Sequence, residues 1–161
     1  MDIDRQIQQL IDNAPPDGQT PGVMAALAPV LKLLADRLQH LEYYIWQSLE
    51  QEWVLTTLSN RARPEIEKNV VYAFATLKDA ADFQLMPDPQ LIALQVPVTH
   101  IFFQIFGMDG VDSIIFFDTP GNLLSGTEVS RQEVQNLIHT QLQRYRSTPR
   151  ANPSNLPPDI A

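Results

Sequence analysis

Leucine and isoleucine recur between residues 27 and 45 at intervals that alternate between four and three positions. The six residues in this pattern are Leu27, Leu31, Leu34, Leu38, Leu41 and Ile45. This heptad spacing predicts one long helix from Val23 to about Leu49, which Pro29 either kinks or begins. Such a helix is longer than a small domain needs to cover its own sheet. The seam therefore either faces the chain's own core or forms a homodimer interface.

Five other runs are predicted strands. The first two carry dense β-branched and aromatic residues, the third is a strand or an extended segment, and the last is a short returning strand. The five runs cover residues 53–60, 69–77, 90–98, 111–118 and 123–129. A charged linker joins the first two runs, which predicts a hairpin with a long loop. The fourth run, VDSIIFFD, is apolar without alternation, and this predicts a strand buried on both faces.

Spacing and capping signals predict three more helices. They cover residues 2–12, 77–84 and 130–146. Thr76 with Asp79 three residues later forms a variant of the capping box, and SRQE (130–133) is a complete one. The phrase TPGN (119–122) fits a type II turn, because proline stands at its second position and glycine at its third.

The most apolar stretch of the chain, residues 96–117, is almost long enough to cross a membrane. Asp109 and Asp112 interrupt it, and each would cost roughly 2.5–3.5 kcal/mol near the centre of a bilayer. We therefore expect this stretch to be core. Whether residues 98–106 form a helix capped by Thr99 or the first strand of a pair stays open at this point.

Together these elements predict an α/β domain of the α+β kind. We expect a mostly antiparallel sheet of four or five strands, packed by the long N-terminal helix and the C-terminal helix. Along the chain, residues 1–22 hold the first helix and a Pro/Gly linker, and residues 23–146 form the single α/β domain. Residues 147–161 form a proline-rich tail that we expect to be disordered.

Composition and charge narrow the range of partners. The formal net charge is -8, so the chain does not present a phosphate-binding surface, and nucleic acid is not an expected partner. The absence of cysteine excludes disulfides, thiolate catalysis and Cys-ligated metals. The N-terminus is amphipathic and acidic without a secretory signal, so we expect a cytoplasmic protein that does not insert into membranes.

Three segments resemble the N-terminal domain of SseB-like proteins. They are AFATLKDAADF (73–83), FFQIFGMDGVDSIIFFDTPGN (102–122) and EVSRQEVQNLI (128–138), within a similarity that covers about residues 53–145. The resemblance implies an α/β sandwich and brings no catalytic residues with it. In style, the glutamine-rich, cysteine-free composition and proline-rich end also resemble small cyanobacterial proteins that assist the assembly of larger machinery.

Residues that could carry chemistry are few and scattered. The three histidines, none of them at metal-ligand spacing from another, are His40, His100 and His139. We expect His40 and His139 on helix flanks and His100 at the edge of the core. Asp109, Asp112 and Asp118 stand where turns and strand ends favour aspartate. The sequence therefore predicts no catalytic residue, no metal and no cofactor.

Aromatic residues beside the seam predict a partner-binding surface. They are Tyr43, Tyr44, Trp46 and Trp53. A helix with apolar residues on several stripes packs against more than one neighbour. We therefore expect a non-catalytic protein–protein interaction module, an adaptor or assembly chaperone that binds a partner peptide or subunit and forms a homodimer. The alternative is a small-molecule-binding or enzymatic domain with a pocket between the long helix and the sheet. Convergence of His100, Asp109 and Asp118 in one cleft would favour this alternative.

Overall fold

The computed structural model describes residues 2–14, 20–59, 62, 67–84 and 88–147 of the chain. The helices of these residues are α1 (Ile3–Asp12), α2 (Thr20–Ala35), α3 (Leu77–Phe83), α4 (Val98–Phe106) and α5 (Arg131–Ser147). The strands are β1 (Glu42–Ser48), β2 (Thr56–Ser59), β3 (Glu67–Phe74), β4 (Leu91–Pro97), β5 (Ser113–Phe117) and β6 (Thr127–Ser130). The predicted α+β fold class is confirmed.

The strands form one sheet in the order β4-β1-β3-β5-β6, with β2 also paired to β3. β1 and β2 lie one after the other along the same side of β3: β1 pairs at Phe74, and β2 pairs from Glu67 to Val70. The other side of β3 pairs with β5 in parallel, and the remaining pairings of the described strands are antiparallel. A mostly antiparallel sheet is therefore confirmed, with six strands instead of four or five.

The main core lies between one face of the sheet and the layer formed by α1, α2, α4 and α5. Its fully buried side chains include Leu31, Leu34, Tyr43, Ile45, Phe102, Phe116 and Ile138. The strands contribute every second residue to this core, because successive side chains of a strand point to opposite faces. α2 and α5 both belong to the covering layer, as predicted.

The long helix predicted from Val23 to about Leu49 is wrong in its second half. α2 ends at Ala35, the chain turns through residues 36–41, and β1 follows. The segment EYYIWQS suits a strand better than a helix, because its aromatic and β-branched residues pack well on a pleated surface. β1 is also hydrogen-bonded on both sides, to β3 and β4, which satisfies its backbone groups.

The heptad seam is therefore not one helical stripe. Leu27, Leu31 and Leu34 lie on α2 and are buried in the chain's own core, and Ile45 is buried in the same core from β1. Leu38 is partly buried in the turn, and Leu41 is 43% exposed. The interval of four residues from Leu41 to Ile45 fits the period of two of a strand as well as helical spacing, so the pattern continued into β1 by coincidence. A homodimer stays a prediction, but a coiled coil of this seam is excluded because its residues do not share a helix.

The apolar stretch 96–117 divides into α4 and β5, as the first of the two open alternatives proposed. Thr99 does not cap α4; the N-cap residue is Pro97, which has no side-chain hydrogen bond. Instead, the buried side chain of Gln6 accepts hydrogen bonds from the backbone N–H of Thr99 at 3.0 Å and from its hydroxyl at 2.9 Å. No helix among the described residues is long and apolar enough to cross a membrane.

Gln6 also makes α1 part of the main core. Its Nε2 donates to the carbonyl of Leu41 at 2.8 Å, so one side chain joins α1, the start of α4 and the turn before β1. Ile7 beside it belongs to the same buried cluster as Leu27 of α2. The sequence divides at residue 22, yet the packing on either side of that boundary is continuous.

Local signals predicted several element ends correctly. Thr76 caps α3 by accepting from the N–H of Asp79, and Ser130 caps α5 by accepting from the N–H of Glu133, both at 3.0 Å. In the TPGN turn, Gly121 has φ 84 and the N–H of Asn122 donates to the carbonyl of Thr119, which is the type II arrangement. Most of the tail predicted to be disordered, residues 148–161, lies outside the described residues, as do residues 15–19 of the predicted linker.

We expect Gly126→Ala to lower the free energy of unfolding by about 1–3 kcal/mol, because the new methyl group would overpack the sheet. A Cβ at Gly126 would lie 2.7 Å from Cγ2 of Ile115 and 3.0 Å from the carbonyl oxygen of Phe116. Urea denaturation measures the change. Gly107→Ala is the matched control, because its Cβ would meet its nearest atom at 3.8 Å. Equal effects of the two substitutions would contradict the close approach at Gly126.

Candidate functional site

The side of the sheet opposite the main core, called here the second face, is also apolar. Its principal residues are Tyr44 and Trp46 of β1, Tyr72 and Phe74 of β3, and Ile115 and Phe117 of β5. They occupy alternate positions of strands whose other residues enter the main core. The sheet is therefore packed on both faces, and the run in β3 lacks apolar–polar alternation for this reason.

α3 covers part of the second face. Its residues Ala80 and Phe83 pack against Phe74 and Phe117, which are almost completely buried. The carboxylate of Asp79 accepts hydrogen bonds from the N–H of Gly121, with both oxygens at 3.1 Å from that nitrogen. This contact ties α3 to the type II turn that follows β5. With only seven residues, α3 is too short to cover the whole face.

An open cavity remains beside α3, and we call it the aromatic pocket. It is lined by Trp46, Val54, Thr56, Tyr72, Phe74, Phe83 and Gln84, and its volume is about 220 Å³. It lies where β1 parts from β3 and β2 takes its place, so its walls come from three strands, the connection before β2 and α3. The ring of Phe83 lies 4.8 Å from that of Tyr72 and 5.2 Å from that of Phe74, centre to centre.

The rings of the pocket are held in place by their surroundings. The indole Nε1 of Trp46 donates a hydrogen bond to the carbonyl of Ala80 at 3.0 Å, which fixes the ring against α3. Tyr72 stacks on Phe117, with ring centres 5.6 Å apart. Burial raises the pKa of the Tyr72 hydroxyl, so this group is neutral at physiological pH. The lining contains no carboxylate, amine, guanidinium or imidazole group.

The four predicted partner-binding residues do not form one patch. Tyr43 is fully buried in the main core, so no partner reaches it in the folded chain. Trp53 is 7% exposed, packs in the same core and lines an open groove beside Leu94 on the helix-covered side of the sheet. Tyr44 and Trp46 lie half-buried on the second face, which is the opposite side of the sheet from Tyr43 and Trp53. The error follows from the wrong helix, because a helix spreads successive residues around its axis and a strand sends them to opposite sides.

Sequence reasoning missed the other rings of the pocket, above all Tyr72 and Phe83. The run NVVYAFATL contained the signal, because its unbroken apolar character marks a strand buried on both faces. That inference was drawn for residues 111–118 alone. The position of Phe83 depends on where α3 packs, and the long-range contact between Asp79 and Gly121 determines this.

The titratable residues do not converge as the enzymatic alternative would require. Nε2 of His100 lies 3.0 Å from the carbonyl oxygen of Gln6, so His100 is a satisfied residue at the core edge, as expected. Asp109 contacts Arg131 at the surface, whereas Asp118 is buried and contacts Tyr43. The described residues contain no group of three His, Cys, Asp or Glu side chains that could hold a metal ion.

Asp118 instead forms a buried cluster with the turn before β1, which we call the Asp118 latch. The hydroxyl of Tyr43 donates to Oδ1 of Asp118, and the N–H of Gln39 donates to Oδ2 at 3.0 Å. Nε2 of His40 donates to the carbonyl of Asp118 at 2.7 Å. His40 therefore lies in this turn and not on a helix flank. The latch holds the turn that replaces the predicted continuation of α2.

Comparisons with known proteins leave the chain without an assigned relative: no protein-family model matches it, and neither does any curated protein. The resemblance to the SseB-like domain therefore stays a prediction.

The Asp118 latch makes the free energy of unfolding depend on pH under alkaline conditions. Burial, with the hydrogen bond to Asp118 and the charge of that carboxylate, raises the pKa of Tyr43 far above its ordinary value of about 10. Above about pH 10 the unfolded chain loses this proton while the folded chain keeps it. The free energy of unfolding therefore falls as the pH rises through this range.

We expect Tyr43→Phe to lower the free energy of unfolding by about 1–3 kcal/mol at neutral pH, because the buried carboxylate of Asp118 loses a donor. The difference in the free energy of unfolding between wild type and variant narrows above about pH 10, because the stabilisation that the protonated Tyr43 gives the wild type is lost there. Urea denaturation over a pH series measures both effects. Tyr44→Phe removes the same atom on the other face of β1 and serves as the control. A gap that widens above that pH would contradict this account.

Proposed function

We propose that this chain is a non-catalytic protein-binding module, an adaptor or assembly chaperone, whose aromatic pocket receives a large apolar side chain of a partner polypeptide. The observation that supports the proposal is the pocket itself. It is an open cavity lined by four aromatic rings on a sheet face that α3 covers only in part.

The size of the pocket favours a side chain over a whole ligand. Cavities that bury drug-sized molecules usually measure about 300–1,000 Å³, whereas the aromatic pocket measures about 220 Å³. A leucine, phenylalanine or tryptophan side chain of an extended partner segment fits this scale. The rest of the partner would lie on the surface around the pocket.

The pocket is also preorganised for binding. The hydrogen bond of Trp46 to Ala80 and the ring contacts of Phe83 fix the walls before a partner arrives. Less conformational entropy is then lost on association. Tryptophan and tyrosine are among the residues that most often carry the binding energy of an interface, and here Trp46 and Tyr72 both line the pocket.

The chemistry of the lining supports binding without catalysis. Its polar side-chain groups are the hydroxyl of Thr56, the amide of Gln84, the phenol of Tyr72 and the indole N–H of Trp46, which donates to Ala80. None of these titrates near neutral pH. General acid–base catalysis needs a group whose pKa lies near the working pH. The lining offers contact area and a few hydrogen bonds instead.

Charge indicates which partners would approach the pocket fastest. The net charge of -8 attracts basic polypeptides and repels acidic ones. We therefore propose a partner segment with an apolar anchor flanked by Lys or Arg. The absence of cysteine is consistent with a reducing compartment, and we place this function in the cytoplasm.

The small-molecule alternative would use the same pocket. A site between α2 and the sheet would need space that Leu31 and Leu34 fill, since both are completely buried there. A small planar molecule that contacts Trp46 and Tyr72 is the form this alternative takes. Its binding would not depend on a polypeptide backbone.

A displayed library of random peptides, selected on the purified chain, tests the proposal. We expect enriched peptides to share one large apolar residue flanked by basic residues. In a Trp53→Phe background the only remaining tryptophan is Trp46, so binding of such a peptide should change its fluorescence. Thr56→Phe fills the pocket and should weaken binding at least about tenfold, which corresponds to about 1.4 kcal/mol.

Thr57→Phe provides the matched control. Thr57 neighbours Thr56 on β2, is exposed and points to the other side of the sheet, so the same substitution there should leave peptide affinity unchanged. Failure to enrich any peptide, or equal affinities for the wild type and both variants, would contradict the proposal. Binding of small aromatic compounds that Thr56→Phe alone abolishes would favour the alternative.

A further inference from the structure

β4 forms one border of the sheet. Among the described strands it pairs with β1 on one side, and none pairs with its other side. Its seven residues, LIALQVP, make it as long as its neighbour β1. A border strand of this kind presents a row of backbone N–H and C=O groups to which another strand can bind.

The ladder between β1 and β4 shows which residues face the free border. Hydrogen-bonded and non-hydrogen-bonded pairs alternate in an antiparallel ladder. The carbonyl of Trp46 accepts from the N–H of Val54, so it points away from β4, and Ala93 opposite it belongs to a non-hydrogen-bonded pair. The N–H and C=O groups of Ala93 and Gln95 and the C=O of Leu91 therefore point outward from the sheet. The N–H of Leu91 donates to the carbonyl of Asp88 at 3.1 Å.

The other positions of β4 agree with this alternation of backbone groups that point outward and toward β1. The N–H of Val98 donates to the carbonyl of Leu41 at 2.9 Å, and this continues the hydrogen-bonded pairs that involve Val96, Leu94 and Ile92. Pro97 then occupies an outward position, where its missing N–H removes no bond to β1.

Apart from Pro97 at its end, β4 lacks the usual protection against pairing among the described residues. Natural border strands carry charged residues, especially lysine, or are covered or bulged. The chain has no Asp, Glu, Lys or Arg between residues 89 and 108. Ile92 is 48% exposed and Leu94 is 44% exposed on the helix-covered side of the sheet. An open groove of about 600 Å³ with a glutamine-rich, uncharged lining lies beside Leu94.

We propose that β4 pairs in antiparallel orientation with β4 of a second copy of this chain, about a two-fold axis at Ala93. Ala93 then exchanges two hydrogen bonds with its own counterpart, and the N–H of each Gln95 donates to the carbonyl of Leu91 in the other copy, while the N–H of Leu91 keeps its bond to Asp88. Axes at neighbouring outward positions are poorer, because they place Ala93 opposite Pro89 or Pro97, which lack an N–H. The two sheets join into one.

The same register explains the two exposed apolar side chains. Ile92 of one copy lies opposite Leu94 of the other, and the two-fold axis repeats this contact. These are non-hydrogen-bonded pairs, in which side chains approach most closely. The apolar surface that each chain exposes on β4 is therefore covered by the equivalent surface of its counterpart, and no charge opposes a like charge within the strands.

Self-complementarity and charge favour a second copy over a different partner strand. Two chains of net charge -8 repel one another, so they associate most readily through a surface without charge. The border of β4 lies within the longest uncharged segment of the chain. This dimer replaces the coiled coil expected from the leucine seam, whose residues the chain buries itself. It does not involve the lining of the aromatic pocket, so either proposal can fail alone.

Sedimentation equilibrium over a concentration series tests the dimer. We expect the wild type to reach twice the chain mass of 18.2 kDa, and Ala93→Pro to remain at the mass of one chain. The proline removes an outward N–H and places its ring on the free border without breaking a bond to β1. Circular dichroism and the melting temperature should therefore stay close to those of the wild type. Ala93→Ser keeps the N–H and should still form the dimer.

Paired charges test the register. Ile92→Glu alone and Leu94→Lys alone should each weaken the dimer about tenfold or more, because a charge then faces an apolar side chain twice across the two-fold axis. The double variant should regain affinity, since each introduced carboxylate faces an introduced ammonium of the other copy. A double variant as weak as the single ones would overturn the register.

Three further results would overturn the proposal. One is a wild type that stays monomeric at every concentration. Another is an Ala93→Pro variant that still forms the dimer, which would place the interface elsewhere. The third is a monomeric wild type whose β4 binds an uncharged extended peptide of another sequence, which would assign this border to a different partner.

Discussion

The carboxylate of Asp118 is the contact on which the arrangement of the sheet depends. It ends β5 and reaches the backbone N–H of Gln39 and the hydroxyl of Tyr43, which is 75 residues away in sequence. A buried carboxylate without donors would cost several kcal/mol, so the turn before β1 must lie where it can supply them. This turn leads directly into β1, which lies between β3 and β4. The aromatic pocket and the free border of β4 both follow from that position.

The residues after Asp118 organise the opposite face. The type II turn presents the N–H of Gly121 to Asp79, and this contact sets α3 across Phe74 and Phe117. Gly126 then passes so close to Ile115 that no side chain fits between them. Asp118 thus fixes the turn before β1 at the main core, and the residues that follow Asp118 fix α3 over the second face.

Elements determined by neighbours in sequence were predictable, and those determined by distant contacts were not. The caps at Thr76 and Ser130 and the turn at Gly121 use hydrogen bonds between residues three or fewer positions apart, so short motifs were sufficient. The start of α4 uses Gln6, which is 93 residues from Thr99, and no local pattern encodes it. The end of α2 was missed because the intervals of its leucines continue into β1, where a period of two places Ile45 in the same core. The pocket could be predicted only in part. Trp46 was selected as a partner-binding residue of a helix, whereas it lies on β1 and points to the second face of the sheet.

The connection between β1 and β2 has a consequence for how this fold can vary. It runs through residues 49–55 where one strand leaves β3 and the next arrives, and it contributes Val54 to the pocket while the sheet supplies Tyr72 and Phe74. Connecting segments tolerate insertions and substitutions far better than the strands that they join. The shape of the pocket can therefore diverge during evolution through changes in this segment, while the residues that hold the sheet together stay the same.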